Sequence, residues 1–153
     1  MRKTEREIKD RAEIESIIKQ AQVCRVALAL DNVPYIVPMN YGYRDNCLYF
    51  HCATEGKKLD IIRQNNQVCF EMDLDYELVR STEKVCTWGS KYRSVIGFGK
   101  AYIIEKWQEK AAALNIVTQH HGAPPYDFSE KELEKVSIIK IEISSITGKK
   151  ARC

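Results

Sequence analysis

The sequence predicts a mainly β domain, an antiparallel β-barrel of six or so strands with peripheral helices. Short apolar segments rich in strand-forming residues outnumber helical ones, and turn residues separate most of them. The connections between these segments are mostly short enough for hairpins, which disfavours a parallel sheet. The chain has 153 residues, the usual size of one domain, so residues 1–153 are treated as a single unit.

A first helix is predicted over residues 11–21. Asp10 and Glu13 have the spacing of a capping box at its start. Apolar residues then recur at the spacing of one helical face, namely Ile14, Ile17, Ile18 and Ala21.

A β-hairpin follows this helix. Residues 23–30 form an apolar run, residues 31–32 (Asp-Asn) supply a turn, and residues 34–43 resume an extended pattern. Pro34 and Pro38 cannot donate to a ladder of hydrogen bonds, which places them at strand starts, edges or bulges. The backbone near Pro38 is therefore free to face a ligand.

The next strand and helix meet at a junction that suits a phosphate. A strand over 47–52 and a helix over 57–64 are joined by a short loop that ends in Gly56. The helix start presents free N–H groups, Gly56 permits close approach, and Lys57 and Lys58 add two ammonium groups. On pattern alone, two solvated surface lysines after a permissive glycine are an equal alternative.

Three strands and two helices are predicted in the second half of the chain. The strands cover 67–74, 94–105 and 136–151, and the helices cover 106–120 and 129–135. Gly97 and Gly99 lie within the long second strand, where they indicate a sharp coil or a close approach of another backbone.

Composition excludes several classes of partner. The net charge is only +3, and the basic residues are interspersed with acidic ones, so no nucleic acid partner is expected. The N-terminus is charged and no apolar run approaches about 20 residues. We therefore expect a cytoplasmic protein without a membrane partner. Six cysteines without ligand spacing indicate reduced thiols.

No metal site is predicted. His120 and His121 adjoin at the end of a predicted helix, but no acidic residue or cysteine lies at metal-ligand spacing from them. The pattern favours imidazoles that bond the last carbonyls of the helix.

Three motifs and the closing ITGKKA resemble the pyridoxamine 5'-phosphate oxidase-like flavoproteins, most closely the nitroimidazole resistance subgroup. The motifs are PYIVPMNYGY, YFHCATEGKK and YRSVIGFGKA, in this order. The resemblance covers nearly the whole chain and implies an FMN-binding split β-barrel. It also implies a homodimer with one FMN in each of two clefts between the subunits.

The resemblance implies a set of cofactor contacts by position. They are Pro38, Met39 and Asn40 along the isoalloxazine ring; His51, Cys52 and Ala53 along the ring-to-ribityl stretch; Lys57 and Lys58, after Gly56, at the phosphate; and Arg93, Ser94 and Val95, which close the site from the second subunit. An FMN needs one apolar face for burial, hydrogen-bond donors for the reduced ring and an open side for substrate.

The implied activity is an FMN-dependent oxidoreductase that reduces the nitro group of a small aromatic acceptor. Electrons would come from a nicotinamide nucleotide or another reductase. His51 is the catalytic candidate, as a group that orients substrate or donates a proton, with simple packing beside the ring as the alternative. Trp88 is a substrate-side candidate that could equally fill a loop. Vitamin B6 chemistry is not expected, because the chain ends in ITGKKARC instead of an arginine-rich segment.

A function of a different class is also compatible with the sequence. The same barrel could bind a flavin or haem without turnover, as a carrier or sensor. FAD and haem are less expected cofactors than FMN. A haem would need an axial ligand, which His51 or a cysteine could supply.

Overall fold

The computed structural model describes residues 4–153, which form one antiparallel sheet with helices on its outside. The strands are β1 (Glu7–Ile8), β2 (Cys24–Leu30), β3 (Val33–Met39), β4 (Gly42–Arg44), β5 (Cys47–Cys52), β6 (Gln67–Val79), β7 (Gly89–Ile104) and β8 (Ser137–Ala151). The helices are α1 (Arg11–Gln20), α2 (Lys57–Gln64), α3 (Trp107–His120) and α4 (Glu130–Leu133).

The sheet has the order β3-β2-β6-β7-β8-β5-β4, with β1 paired to β8. Within residues 4–153, β3 and β4 form the two ends of this path and no ladder joins them. The predicted mainly β architecture is therefore confirmed as an open, split barrel. Two of its eight strands, β1 and β4, are only 2 and 3 residues long, too short to leave a period in the sequence.

The predicted capping box at α1 forms only in part. The Asp10 side chain accepts a hydrogen bond from the amide of Ala12 at 2.9 Å, as an N-cap should. Glu13 instead accepts two hydrogen bonds of 2.9 Å from Lys150 Nζ on β8. A tertiary ion pair thus replaces the local reciprocal bond and holds α1 against the end of β8.

Helix α3 covers the outward side of β4 and β5. Gly42 lies so close to the backbone of Ile116 in α3 that a β-carbon would overlap it. A small second core lies under this helix, formed by Ala113, Leu114, Leu133 and Ile138. The position of α3 matters for function because its C-terminal end reaches the turn between β3 and β4.

Strands β6 and β7 extend beyond the predicted bounds. β7 begins at Gly89, five residues before the predicted start at residue 94, and β6 continues to Val79. Their ends pair with each other as a two-stranded ribbon outside the main core, after an irregularity between Leu74 and Glu77. In β6 the sequence does carry a strand signal, because residues 73–78 alternate acidic and apolar side chains, so the predicted end at residue 74 was too early. Residues 89–93 at the start of β7 show no such alternation.

The glycines of β7 lie where neighbouring groups approach closely, as predicted. A β-carbon at Gly97 would overlap the ring of Phe70, and one at Gly99 would overlap the carbonyl of Glu142. The pairing of β7 with β8 also shifts between Phe98 and Gly99. These two glycines let the sheet coil tightly around the buried Phe70.

We expect Gly97→Ala to lower the free energy of unfolding by about 1–3 kcal/mol, because the added methyl group overpacks the core against Phe70. Urea unfolding at fixed protein concentration measures this change. The exposed Lys100 lies on the same strand, and Lys100→Ala is the matched control. Equal stability of the two variants would contradict the close approach.

Candidate functional site

Strand β3 lies at one edge of the sheet, which is one of the three placements predicted for its prolines. It pairs with β2 on one side, with Pro38 opposite Arg25, and with no strand on the other side within the described residues. Pro38 and Asn40 are exposed, whereas Met39 is half-buried against the core. The far side of this segment therefore has polar backbone groups available to a ligand.

Tyr41 anchors the turn that follows Asn40. Its side chain is fully buried, and its hydroxyl donates a hydrogen bond of 2.5 Å to the carbonyl of Ile18 in α1. Burial raises the pKa of Tyr41, so its hydroxyl stays protonated. Sequence analysis missed this anchor, because an isolated tyrosine between two strands gives no sign of its burial.

The end of β5 presents two neighbouring side chains to different surroundings. His51 is exposed, whereas Cys52 is half-buried against the core. Burial raises the pKa of the Cys52 thiol, and the nearby charge of Lys58 only partly opposes this effect. Cys52 is therefore an apolar contact and not a reactive thiolate. Ala53, which follows the strand, is exposed.

The junction before α2 is open in the way a phosphate site requires. Gly56 has φ 138°, which side-chain-bearing residues rarely adopt, and a β-carbon there would meet no atom within 4 Å. Lys57 Nζ lies 4.8 Å from the centre of the Tyr35 ring on β3, and Lys58 is half-buried. The helix start and the edge strand are thus direct neighbours.

Residues 93–95 lie apart from these groups, on β7, which β2 and β6 separate from β3. Arg93 Nε forms an ion pair of 2.6 Å with Asp75. Val95 is fully buried, so its side chain packs in the core and only its backbone could meet a ligand. Ser94 faces outward and lines a cavity of about 280 Å³ together with Ile96, Thr147 and Lys149.

Trp88 is held by its own loop. Its indole N–H donates to the carbonyl of Ser81 at 3.0 Å, and the guanidinium of Arg80 lies 5.6 Å from the centre of its ring. The indole still has 39% of its surface exposed. These contacts fix the loop before β7. They do not test the substrate-side role of Trp88, which stays a prediction.

His120 and His121 bond neighbouring elements across the fold, which differs from the predicted helix-end role. His120 Nε2 lies 2.9 Å from the carbonyl of Ala21, and His121 Nδ1 lies 3.0 Å from Oε1 of Gln22.

Within residues 4–153, no group of three or more His, Cys, Asp or Glu side chains is arranged to hold a metal ion. In the same part of the chain, no helix is both long and apolar enough to cross a bilayer.

The structure thus joins most of the proposed cofactor residues in one region. The edge segment at residues 38–40, the end of β5 and the start of α2 border the side on which the barrel is split. Residues 93–95 remain apart from this region, with Ser94 on the outer face of the sheet and Val95 in the core. A ligand at the split would meet an apolar edge, exposed backbone polar groups and two lysines.

Comparison with known proteins identifies the family. Residues 10–150 match the family model of pyridoxamine 5'-phosphate oxidase. A candidate 5-nitroimidazole antibiotic resistance protein from Bacteroides thetaiotaomicron shares 35% identity and a TM-score of 0.82, over 94% of this chain and 85% of that chain.

Two further similarities concern the fold alone or only part of the chain. A FAD and haem binding protein from Mycobacterium smegmatis has the same fold, with a TM-score of 0.81 at 18% identity, over 97% of this chain and 74% of that chain. An uncharacterised protein of Rhizobium meliloti is 31% identical over 65 residues, which span 42% of each chain. The family match over residues 10–150, together with the split barrel, shows that this chain belongs to the pyridoxamine 5'-phosphate oxidase family.

Proposed function

We propose that this protein is an FMN-dependent oxidoreductase of the cytoplasm that reduces small nitroaromatic compounds at a cleft completed by a second copy of the chain. The observation that carries the proposal is the open start of α2, where Gly56 and two lysines lie beside the edge strand β3. The similarity to the candidate nitroimidazole resistance protein supports the choice of substrate class.

The residues at the split fit the phosphate end of FMN. The first N–H groups of a helix have no partners within the helix, and the dipole of α2 favours an anion there. Lys58 is half-buried and Lys57 is held near Tyr35, so two positive charges stand close to these groups. Because the space at Gly56 is open, a phosphate can approach the backbone directly.

The residues along β3 and β5 fit the remainder of the cofactor. Backbone polar groups near Pro38 and Asn40 lie on an unpaired edge and can bond the polar rim of an isoalloxazine. Met39 and Cys52 offer apolar surface that is already half-buried. When bound, FMN supplies two-electron chemistry that the side chains themselves cannot perform.

His51 is placed to serve the substrate. A nitro group that accepts two electrons also takes up two protons and loses water, so a proton donor near it is useful. His51 is exposed at the end of β5, next to the proposed ring-to-ribityl contacts. An imidazole can donate such a proton or orient the nitro group.

The outer face of the sheet supports a homodimer. Three large apolar side chains on it, Ile36, Phe98 and Ile96, have exposed fractions of 61%, 56% and 45%. The register places Ile36 and Phe98 in one row across β3, β2, β6 and β7. Pro38 and Ile96 lie in the next row, where the ion pair of Arg25 and Glu71 stands between them. We propose that a second copy of this chain covers this apolar face.

The cavity beside Ser94 lies on the same face. Its volume of about 280 Å³ is slightly below the range of about 300–1,000 Å³ typical of ligand pockets. We propose that the cavity and the split of the barrel form two halves of one cleft in the dimer. In a dimer with two-fold symmetry, Ser94 of one copy would face the flavin held by the other.

Steady-state oxidation of NADH or NADPH, with a 5-nitroimidazole as acceptor, tests the proposed activity. We expect turnover above that of free FMN at equal concentration. The variant with both Lys57→Ala and Lys58→Ala is the matched control, since it should lose the cofactor and with it the activity. A protein that binds FMN but supports no turnover with either nucleotide or a reductase would instead be a flavin carrier or sensor.

A further inference from the structure

We infer that His120 and His121 are positioning residues that hold the turn at Asn40 and Tyr41, one wall of the proposed cleft. The inference rests on the proposed function, because Asn40 is a proposed contact of the isoalloxazine ring. The support of this turn depends only on contacts within the chain, so it can be measured without a cofactor.

His120 connects three elements at once. It is the last residue of α3, and its Nε2 donates to the carbonyl of Ala21, 2.9 Å away, in the connection between α1 and β2. The face of its ring lies against Tyr41, with the two ring centres 4.6 Å apart. The hydrogen bond fixes the tautomer and orientation of the imidazole, and the imidazole in turn limits where the Tyr41 ring can go.

His121, the next residue, forms a similar contact with the connection between α1 and β2. Its Nδ1 lies 3.0 Å from Oε1 of Gln22, next to the Ala21 that His120 bonds. Burial, followed by the charges of His120 and His51, lowers the pKa of His121, while the carbonyl of Tyr41 opposes this shift. The rings of His121 and His120 meet edge to face with their centres 5.2 Å apart, so the two imidazoles pack together beside the turn.

His120 adds to other contacts of the turn, which include the Tyr41 hydroxyl 3.2 Å from Met72 Sδ and the Tyr41 ring 6.1 Å from that of Phe50. The Tyr41 hydroxyl is bonded to Ile18, and Gly42 packs on the backbone of Ile116. Asn40 is exposed, so it depends on its neighbours for its orientation. The imidazole of His120 fills the space behind Tyr41 and thereby completes the support.

The two properties of His120 can be separated by substitution. His120→Phe keeps an aromatic ring against Tyr41 but removes the donor to Ala21. His120→Gln keeps a donor and removes the ring. Gln119→Ala is the matched control, because Gln119 is exposed at the same helix end. For His121, His121→Ala removes the contact with Gln22.

Amide hydrogen exchange of the purified, flavin-free full chain directly tests whether the two histidines support the turn. We expect exchange in a peptide covering residues 38–44 to become at least about tenfold faster in His120→Phe and His121→Ala, whereas peptides from β8 keep the wild-type rate. His120→Gln should exchange at an intermediate rate. Exchange at the rate of the Gln119→Ala control in all three variants would overturn the inference.

FMN titration then separates this inference from the proposed function. The variants with faster exchange should also show an FMN dissociation constant raised about tenfold and a shifted visible spectrum of the bound flavin. If the wild-type protein binds no FMN but the exchange result is as expected, the proposed function is refuted. The inference that the two histidines support the turn then still stands. Normal FMN affinity and spectra in rapidly exchanging variants would show that the turn does not form the cleft wall.

Discussion

Replacing Lys57 and Lys58 together with alanine should weaken FMN binding by about 100-fold or more and leave the fold intact. Hydrogen bonds to charged groups are each worth about 1.5–3 kcal/mol, and 1.4 kcal/mol corresponds to a factor of ten in affinity. Neither ammonium forms an ion pair among residues 4–153, so the folded chain loses only the contact of Lys57 with Tyr35.

Quenching of FMN fluorescence on titration with apoprotein measures this loss. The control replaces Lys84 and Lys131, which are both exposed and remote from α2 in sequence, so that the net charge is matched. Circular dichroism and thermal unfolding should be the same for both double variants. Unchanged FMN affinity in the Lys57 and Lys58 variant would show that the phosphate lies elsewhere.

Phe98→Glu should convert the proposed dimer into a monomer of about 17.7 kDa. The Phe98 side chain is 56% exposed in the single chain, and a two-fold interface would contain it twice. Large side chains at the centre of an interface often contribute 2 kcal/mol or more, so we expect the dimer dissociation constant to rise by at least about 100-fold. A charge buried without a partner adds to this effect.

Sedimentation velocity over a range of concentrations measures the assembly state. Val85→Glu is the control, because Val85 is 76% exposed but lies in the connection between β6 and β7, away from the apolar face. In Phe98→Glu, FMN affinity should fall as the dimer dissociates. In Val85→Glu, FMN affinity should stay at the wild-type value. A wild-type monomer that binds FMN normally would contradict the shared cleft.

Elements with a strong period were predictable to within a few residues. β5 and α2 have the bounds that the sequence analysis assigned, and β8 begins one residue later than expected. In each of them, buried residues alternate with exposed ones or recur at helical spacing. The prolines of β3 predicted a strand start, an edge or a bulge, and the edge is what the structure shows, because a residue without an N–H group fits where no partner strand needs it.

Features that depend on tertiary contacts were not predictable. The first residues of β7, at 89–93, have no apolar period, and the bond from Lys150 to Glu13 joins residues far apart in sequence. His120 and Tyr41 meet only because α3 folds back over β4. For the site, motifs predicted which segments converge at the split, but not that Val95 is buried or that Arg93 is paired with Asp75.

The visible absorption spectrum of the purified protein, followed by mass identification of the heat-released chromophore, tests the central claim most directly. Flavin bands with FMN as the released compound are the expected result. A Soret band would instead indicate haem. That band, or a colourless protein that also fails to bind added FMN, would contradict a flavin site at the start of α2.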